Sequence, residues 1–365
     1  MIHYANVTNI YLNMHAHSAH FHFSCANMNS MKIRTDSSHS AHWASAEKIS
    51  CIAAMAVMIA MTAALSFVIV LKGPSGKARD LAVSTLMETR RGKAIARFFF
   101  SGEELAAMMS RNTIAVTGMV SAGMDTDYDI PAAEKDRIQI VDVKGALYQG
   151  KLMIVRDPSR ISLGVNLQMS DVQPPVGYYV EDYINHAGGI AGINAGGFDD
   201  PGGVGDGSVP FGLVIQNGVI ISGSADCWST VIGFNEHHHL MVGNMTGEQA
   251  LSYGLWDAIS FGPALIINYV PVPTTGSGGG LNPRTVIGQR EDGAVLLLVI
   301  EGRQTSSLGA TYQDCIDIMM QHGAINAANL DGGGCSTMVY QGETLTSSVS
   351  VLGKDRKVPT AWIVK

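Results

Sequence analysis

The stretch VIGQREDGAVLLLVIEG, residues 286–302, contains two apolar runs separated by Asp292-Gly293. An Asp-Gly pair between two such runs predicts a β-hairpin, because both residues readily take the left-handed backbone conformation of a tight turn. The stretch FGLVIQNGVIISG, residues 211–223, repeats the pattern with Asn217-Gly218 at its turn. Short β-rich runs also flank Asp157-Pro158-Ser159. The sequence therefore predicts a β-sheet framework in this half of the chain.

Helical patterns alternate with these strands. They occur at 179–187, at 246–254 after the capping residue Thr246, and at 310–322 before Gly323. No internal repeat has a solenoid period. The predicted fold class is α+β (mixed α/β): a mixed β-sheet with packed helices, preceded by one transmembrane helix.

The predicted transmembrane helix covers residues 49–71, where 23 consecutive positions carry no charge. About 20 apolar residues suffice to cross a bilayer core. The alternative is the core of a signal peptide, but such cores are shorter, and no small-x-small cleavage site follows before Lys72. Cationic residues lie on both sides of the segment, so charge alone leaves its orientation open.

Residues 1–48 form a region without predicted structure that holds seven of the twelve histidines before position 43. Metal binding by this histidine-rich tract is one reading. The other is that Met31, followed by Lys32 and Arg34, is the true start of the chain.

Residues 72–137 are predicted to be a helical juxtamembrane region followed by a linker. One helix is expected within 84–100, and a second begins at Ser101, whose pairing with Glu104 is typical of a capping box. Phe98, Phe99 and Phe100 lie between them and are expected to pack or to rest on the membrane surface. From 112 to 137 the pattern loses its period and gains Gly, Asp and Pro, so the folded domain is expected to span 138–365.

Composition excludes some functional classes. The chain has 365 residues, a net charge of −7 and 46% hydrophobic residues, enough apolar material for a substantial core. An acidic balance argues against a nucleic-acid partner, because phosphate backbones need clustered Lys and Arg. Five widely spaced cysteines show neither a paired metal-ligand pattern nor a disulfide framework.

Polar side chains follow or begin four apolar segments of the predicted domain. Asn194 ends one run and Arg284 begins another, while Glu301 with Arg303 and finally Asp331 close two more. In open α/β sheets, ligands gather beyond the carboxyl ends of strands. These residues are therefore predicted to share one site. Each motif alone has a simpler reading as a turn or a surface arginine, and only their combination favours function.

Six blocks, in this order and spacing, resemble the phosphodiester glycosidase family over roughly 145–365. They are NAGGF (194–198), SFGPALI (260–266), NPRTVIGQ (282–289), VIEGRQTSSLGAT (299–311), NLDGGGCSTMV (329–339) and DRKVPTAWIV (355–364). Many members of that family belong to the bacterial envelope. The sequence departs from the family pattern at Cys335, where serine is typical, and at Glu301, where aspartate is typical.

The resemblance implies hydrolysis of sugar-1-phosphodiesters, such as N-acetylglucosamine-1-phosphodiesters, in cell-envelope glycans or exopolysaccharides. The expected partners are a phosphorylated glycan and a membrane, with the C-terminal domain outside the cytoplasm. No cofactor is required, although a divalent cation is not excluded. The expected catalytic residues are Asp331, Glu301, Arg303 and Arg284. The expected substrate-binding residues are Asn194, Gly196, Gly197, Asn282, Thr285, Gly332, Gly333, Gly334, Cys335 and Ser336.

Each role has a chemical reason. Carboxylates serve as nucleophile or base when the bond from sugar C1 to oxygen breaks, so Asp331 is the first choice and Glu301 the second. Arginines can stabilise the departing phosphate, and amides of Gly332 to Gly334 could form an anion nest. Asn194 would contact sugar hydroxyls or an acetamido group.

Alternatives remain at two levels. Cys335 is a nucleophile, a hydrogen-bonding substitute for serine, or half of a disulfide with Cys315. The domain as a whole is either this hydrolase or a non-catalytic, membrane-tethered binder of anionic glycans. A metal-dependent phosphodiesterase is disfavoured, because His237 to His239 are adjacent in sequence and cannot all face one site from a strand.

Overall fold

The computed structural model describes residues 37–169, 175–200, 205–347, 349 and 355–365. Contacts divide the chain into two compact units, Met1–Ala63 and Ala64–Lys365. Residues 1–36, with five of the seven N-terminal histidines and the alternative start at Met31, lie outside the described residues. Residues 37–48, predicted to lack structure, are helical. The described α-helices are α1 (Ser37–Lys72), α2 (Gly76–Met87), α3 (Arg90–Phe99), α4 (Gly102–Ser110), α5 (Val180–Ala187), α6 (Gly247–Ser252) and α7 (Tyr312–Gln321).

The strands form three sheets in the second unit. They are β1 (Ile138–Lys144), β2 (Gln149–Val155), β3 (Ile161–Val165), β4 (Ala191–Asn194), β5 (Val214–Gln216), β6 (Val219–Ser222), β7 (Ser229–Asn235), β8 (Leu240–Met245), β9 (Leu255–Ser260), β10 (Ala264–Ile267), β11 (Val270–Pro271), β12 (Arg284–Arg290), β13 (Val295–Ile300), β14 (Ala324–Asn329), β15 (Met338–Tyr340), β16 (Glu343–Thr344) and β17 (Thr360–Val364).

Sheet I has the order β1-β2-β13-β12-β14-β10-β11, sheet II β16-β15-β4-β17-β3, and sheet III β6-β5-β9-β7-β8. The predicted mixture of helices and sheets is confirmed, as are both hairpins. Every strand pair among the described residues is antiparallel. The rule for ligand sites at the carboxyl ends of parallel strands therefore does not apply here.

The three sheets enclose one shared core. Side chains of β2 and β13 from sheet I, β4 and β17 from sheet II, and β7 and β9 from sheet III belong to a single buried apolar cluster. Trp362 is fully buried there, with the Phe234 ring edge-on at a centroid distance of 5.4 Å. Burial of so many large side chains supplies the main favourable free energy of folding.

The helices cover the outer faces of the sheets. Helix α7 buries Cys315, Ile316 and Met319 in a cluster with the outward-facing residues of sheet I. Helix α5 packs Tyr183 and Ile184 in a cluster with residues of sheet II. Helices α5, α6 and α7 lie where the sequence predicted them, and capping boxes begin α6 and α7.

Strand β1 begins at Ile138, but the preceding segment, predicted to be a linker, belongs to the same compact unit. Residues 112–137 run along sheets I and III, with bridges from Ile114 to Thr274 and from Val120 to Gly243. His239 Nε2 lies 2.8 Å from the Thr126 carbonyl oxygen, and His237 Nδ1 lies 3.1 Å from Asp127. These two histidines therefore fasten the segment to the domain.

The N-terminal helices include one long apolar element. Ile49–Lys72 of α1 is long and apolar enough to cross a membrane or to be the core of a signal sequence. Helices α2, α3 and α4 pack around Leu71 in a separate apolar cluster. The capping box of Ser101 and Glu104 is confirmed at the start of α4.

The region predicted as one helix within 84–100 is broken into α2 and α3. Glu88 ends α2, and the Thr89 hydroxyl accepts a hydrogen bond from Gly92 N–H, so the chain starts a new helix. This break matters because it places Glu88 in a tight turn between two helices.

Candidate active site

Antiparallel register brings the polar strand ends together. Strand β12 pairs with β13 through Arg284 opposite Ile300, and with β14 through Val286 opposite Asn329. The beginning of β12 thus lies at the same sheet edge as the ends of β13 and β14. Arg284, Arg303 and Asp331 converge there.

A cavity of about 490 Å³ opens at this edge. Its lining includes these predicted site residues: Gly197, Asn282, Arg284, Arg303, Asp331, Gly332, Gly333, Gly334 and Cys335. Nine of the nineteen residues that line the cavity were thus singled out from the sequence.

Asp331 is held by the backbone on both sides. Its N–H donates to the Ala195 carbonyl oxygen at 3.0 Å, and its own carbonyl oxygen accepts from Asn194 Nδ2 at 2.6 Å. Burial raises the pKa of its carboxyl group to about 6, although the Cys335 thiol, the Arg356 guanidinium and the Gly332 N–H partly oppose this. The group therefore changes charge close to neutral pH.

Cys335 is a buried thiol that hydrogen-bonds the Asp331 carboxylate. Burial, together with the negative charge of Asp331, raises the pKa of the Cys335 thiol well above its usual range. A neutral thiol is a poor nucleophile but a good donor to a carboxylate. Cys335 and Cys315 are both free, so the predicted disulfide between them is absent from the structure.

Arg284 is 3% exposed and fixed by several partners. Its Nη2 donates to the Gly280 carbonyl oxygen at 2.8 Å, and its Nε donates to the Ala310 carbonyl oxygen at 3.2 Å. The guanidinium stacks on the Tyr312 ring at 4.0 Å. It also forms an ion pair with Glu88 at 3.3 Å, the residue that ends α2.

Arg303 projects into the same cavity from a left-handed backbone position, with φ of 56°. Its Nε donates to Asn282 Oδ1 at 3.1 Å, while Asn282 Nδ2 donates to Glu88 Oε2 at 3.3 Å. Within the described ranges no acidic side chain lies at ion-pair distance from Arg303. Its positive charge is therefore available to an anion.

A third arginine, Arg356, was not singled out from the sequence, although it lies inside the block DRKVPTAWIV. Its Nη1 donates to Asp200 Oδ2 at 3.0 Å, and its guanidinium lies 4.8 Å from the centre of the Phe198 ring. Burial works against the charge of Asp200, but Arg356 and the Gly205 N–H hold the pKa of Asp200 below its usual value. Asp200 also acts on Asp331 by raising its pKa.

The three glycines shape the floor of the cavity. Gly333 has a φ of 62°, and a Cβ there would lie 3.1 Å from Arg303 Nη2; a Cβ on Gly332 would lie 2.8 Å from the Pro283 carbonyl oxygen. The Gly333 N–H already donates to the Pro283 carbonyl oxygen at 2.9 Å. The predicted anion nest therefore lacks that amide, and the glycines serve mainly to let backbone and arginine approach closely.

Glu301, predicted as the second catalytic carboxylate, does not line the cavity. Its Oε2 accepts from Gln149 Nε2 at 2.7 Å, and its Oε1 accepts from the Ser347 N–H at 2.8 Å. Both oxygens thus join β2 and a later loop to the end of β13. The carboxylates that do line the cavity with Asp331 are Asp200 and Glu88.

Four predicted substrate-binding residues also lie beside the cavity rather than on it. Asn194 is fully buried, and its Oδ1 accepts from Thr285 Oγ1 at 3.0 Å and from the Thr337 N–H at 3.1 Å. The Asn194 side chain therefore holds the backbone at Asp331 and does not face the cavity, because the end of β4 lies beside the segment that follows β14. The other three are Gly196, Thr285 and Ser336, all buried.

Sequence pattern carries only weak signals for the remaining cavity residues. Glu88 lies 196 positions before Arg284, so no local pattern relates them. The aromatic side chains Phe198, Phe211, Phe261 and Tyr312 also contribute to the wall. Among the described residues, no group of three His, Cys, Asp or Glu side chains is arranged to hold a metal ion.

Comparison with known proteins gives this site a family. Residues 187–365, from the end of α5 to the C-terminus, match the family model of phosphodiester glycosidases (NAGPA). By this match, residues 187–365 form a phosphodiester glycosidase-family domain. The match includes β4, β12, β13, β14 and β17, and hence every cavity residue described above except Glu88 and its neighbours.

Two relatives show how distant the likeness is. The uncharacterised SPβ prophage-derived protein YomE of Bacillus subtilis (strain 168) is 28% identical over 172 residues, which are 43% of this chain and 25% of YomE. The chain thus spans about a quarter of that relative's length. The catalytic domain of zebrafish N-acetylglucosamine-1-phosphodiester α-N-acetylglucosaminidase, auto-inhibited by its propeptide, superposes with a TM-score of 0.54 and 19% identity. That match covers 68% of this chain and 88% of the zebrafish chain, and it shows a shared fold.

Proposed function

We propose that this phosphodiester glycosidase hydrolyses a sugar-1-phosphodiester in a cell-envelope glycan, releasing the sugar and leaving a phosphomonoester. The observation that carries the proposal is a single cavity in which the carboxyl group of Asp331 lies with three arginines. One face of the cavity suits an electron-deficient sugar carbon, and the other suits a phosphate.

Asp331 is the carboxylate proposed to act at the sugar. When the bond from C1 to oxygen breaks, positive charge develops on the ring, and a carboxylate stabilises it as nucleophile or as base for water. Because burial raises the pKa of Asp331 to about 6, the group is a stronger base than an exposed aspartate and is still ionised at neutral pH. The Cys335 thiol donates to it and fixes its orientation.

The arginines are proposed to hold the phosphate. A phosphate ester leaves readily, so stabilising its departing negative charge matters more than proton donation by a strong general acid. Arg303 offers a guanidinium without an ion pair among the described residues, and Arg284 is rigidly positioned by Tyr312 and two carbonyl oxygens. Arg356, oriented by Asp200, completes a cationic wall around Asp331.

Glu88 occupies part of this proposed phosphate position. Its two carboxylate oxygens accept from Arg284 Nη2 and Asn282 Nδ2, the same groups that would receive a phosphate oxygen. The monoanionic phosphodiester must therefore displace Glu88 or bind beside it. The turn between α2 and α3 is the element that would move.

The envelope location is proposed from the apolar segment Ile49–Lys72. Used as a transmembrane anchor, it would tether the domain to the membrane with the active site outside the cytoplasm. The family likeness favours this arrangement, since phosphorylated glycans of the envelope lie outside the cytoplasm.

Sugar release from a panel of sugar-1-phosphodiesters tests the proposal. The full chain, purified in detergent, is offered N-acetylglucosamine-1-phosphodiesters and their glucose and galactose counterparts, and free sugar is measured against an Asp331→Asn control. Turnover by the wild type alone supports the proposal. Binding of these compounds without any turnover over a long incubation would favour the non-catalytic glycan binder.

A further inference from the structure

A second cavity, of about 340 Å³, adjoins the candidate active site. It shares two wall residues with the first cavity, Phe211 and Phe261. Its remaining lining includes Ser229, Thr230 and Pro263. The two cavities are therefore parts of one groove with an aromatic boundary between them.

Strand register explains why aromatic side chains collect here. In sheet III, β9 lies between β5 and β7, with Val214 opposite Ile259 and Val231 opposite Ser260. Ser260 N–H donates to the Leu213 carbonyl oxygen at 2.8 Å, so Phe211 lies close to the end of β9. The Phe211 side chain is 66% exposed, which is unusual for such a large apolar side chain.

The groove wall is firmly held. Phe211 N–H donates to the Gly197 carbonyl oxygen at 2.9 Å, and Phe261 N–H donates to the Thr230 carbonyl oxygen at 3.0 Å. A Cβ on Gly197 would lie 2.7 Å from the Phe261 ring, so the ring packs directly against this backbone. The exposed aromatic surface thus stands on strand ends rather than on a loosely attached loop.

Charge distribution identifies the kind of ligand. The first cavity contains Arg284, Arg303 and Arg356, whereas the lining of the second contains no charged side chain. A ligand that extends from one to the other is anionic in the first cavity and neutral in the second. A sugar ring meets that description, because its C–H faces pack on aromatic rings while its hydroxyl groups face water at the open rim.

We propose that this second cavity, termed the aromatic subsite, binds a further neutral sugar unit of the same substrate. The inference rests on the proposed function of the adjoining cavity. It implies that the natural substrate is an oligosaccharide or polymer that contains a sugar-1-phosphodiester, rather than a single sugar with a small alcohol. The substrate would lie along the edge of sheet III with Phe211 beneath it.

Binding affinity tests the aromatic subsite apart from turnover. The full chain carrying Asp331→Asn is titrated with methyl N-acetylglucosamine-1-phosphodiester and with two extended compounds. One carries a second sugar on N-acetylglucosamine, and the other carries a sugar in place of the methyl group. At least one extended compound is expected to bind about 3- to 10-fold more tightly than the methyl compound, the range that one aromatic contact supplies.

Phe211→Ala should reduce this affinity ratio to near one. Tyr253→Ala, which removes an exposed aromatic side chain at the end of α6, is the matched control and should leave the ratio unchanged. Equal affinity for the methyl and extended compounds would overturn the subsite, as would an unchanged ratio in Phe211→Ala. Turnover of the same compounds by the wild type reports separately on the proposed hydrolysis, which can fail while the affinity ratio persists.

Discussion

At the scale of single residues, the site depends on a conflict between burial and charge at Asp331. The fold fixes this residue through Ala195 and Asn194 and places its carboxyl group beside the Cys335 thiol and the Arg356 guanidinium. Burying a carboxylate costs free energy, and groups with such a cost are concentrated at functional sites. The pKa of about 6 gives that conflict a measurable consequence.

Activity should therefore fall in acid. If the ionised Asp331 acts at the sugar, kcat/KM decreases about tenfold per pH unit below an apparent pKa near 6. Asp331→Asn should lower kcat at least about 100-fold at pH 7.5. Steady-state kinetics from pH 4.5 to 8.5 measure both effects, and an unchanged kcat in the variant would remove Asp331 from the chemistry.

Thermal unfolding supplies the control for that variant. A carboxyl group whose pKa is raised in the folded state destabilises the fold above that pKa, and the cost disappears as pH falls below its ordinary value. Asp331→Asn is therefore expected to have a Tm at pH 7.5 equal to or above that of the wild type. A lost activity with a retained Tm separates chemistry from misfolding.

Cys335 is expected to act as a hydrogen-bond donor and not as a nucleophile. Cys335→Ser keeps a donor to Asp331, so kcat should stay within about tenfold of the wild type. Cys335→Ala removes a contact that lowers the pKa of Asp331, so the acidic limb of the pH profile should move to higher pH. Complete inactivity of a folded Cys335→Ser protein would instead indicate covalent catalysis by the thiol.

At the scale of elements, the turn between α2 and α3 places a carboxylate against the cavity. Thr89 begins α3 and thereby fixes the turn in which Glu88 reaches Arg284 and Asn282. The turn lies outside the region that matches the family. Arg284 of the matched region is thus paired with a carboxylate from the N-terminal part of this chain.

Glu88→Gln should lower KM for a phosphodiester substrate by about tenfold, because the amide no longer repels the incoming phosphate or neutralises Arg284. The amide keeps a polar group near Arg284, which also remains bonded to Gly280 and Ala310, so folding should persist. Glu103→Gln, on the exposed first turn of α4, is the matched control. A raised KM in Glu88→Gln would show that Glu88 assists the substrate.

The elements also show what local pattern can and cannot predict. Hairpins at Asn217-Gly218 and Asp292-Gly293 were predictable, because their turn residues encode the conformation. Arg284 and Asp331 were predicted to share a site, but they meet because β12 and β14 pair antiparallel and not because both follow parallel strands. Glu301 has the same local signature, yet its partners Gln149 and Ser347 come from distant segments and hold it outside the cavity.

Long-range contacts account for the other gaps. Glu88 reaches the cavity from 196 residues away, and Asp200 becomes relevant only through Arg356. Hydrophobic pattern alone specifies neither the order nor the direction of strands. The exclusively antiparallel pairing within the described ranges was therefore not predictable from it.

At the scale of the whole molecule, an apolar helix precedes a sheet-rich domain in the chain. If Ile49–Lys72 is a retained anchor, the full chain stays in the membrane pellet after alkaline carbonate washing. If it is a signal sequence, the mature chain begins beyond it and is released. Immunoblotting of both fractions, with N-terminal sequencing of the protein, distinguishes the two outcomes, and we expect the anchor.

The position of the broken bond tests the central claim most directly. Hydrolysis of a sugar-1-phosphodiester is carried out in water enriched in ¹⁸O, and the phosphomonoester product is analysed by mass spectrometry. Cleavage between sugar C1 and oxygen, assisted by Asp331, leaves the phosphomonoester without ¹⁸O, because water adds to the sugar. Incorporation of one ¹⁸O atom into the phosphomonoester would show attack at phosphorus and contradict the assignment of a glycosidase mechanism.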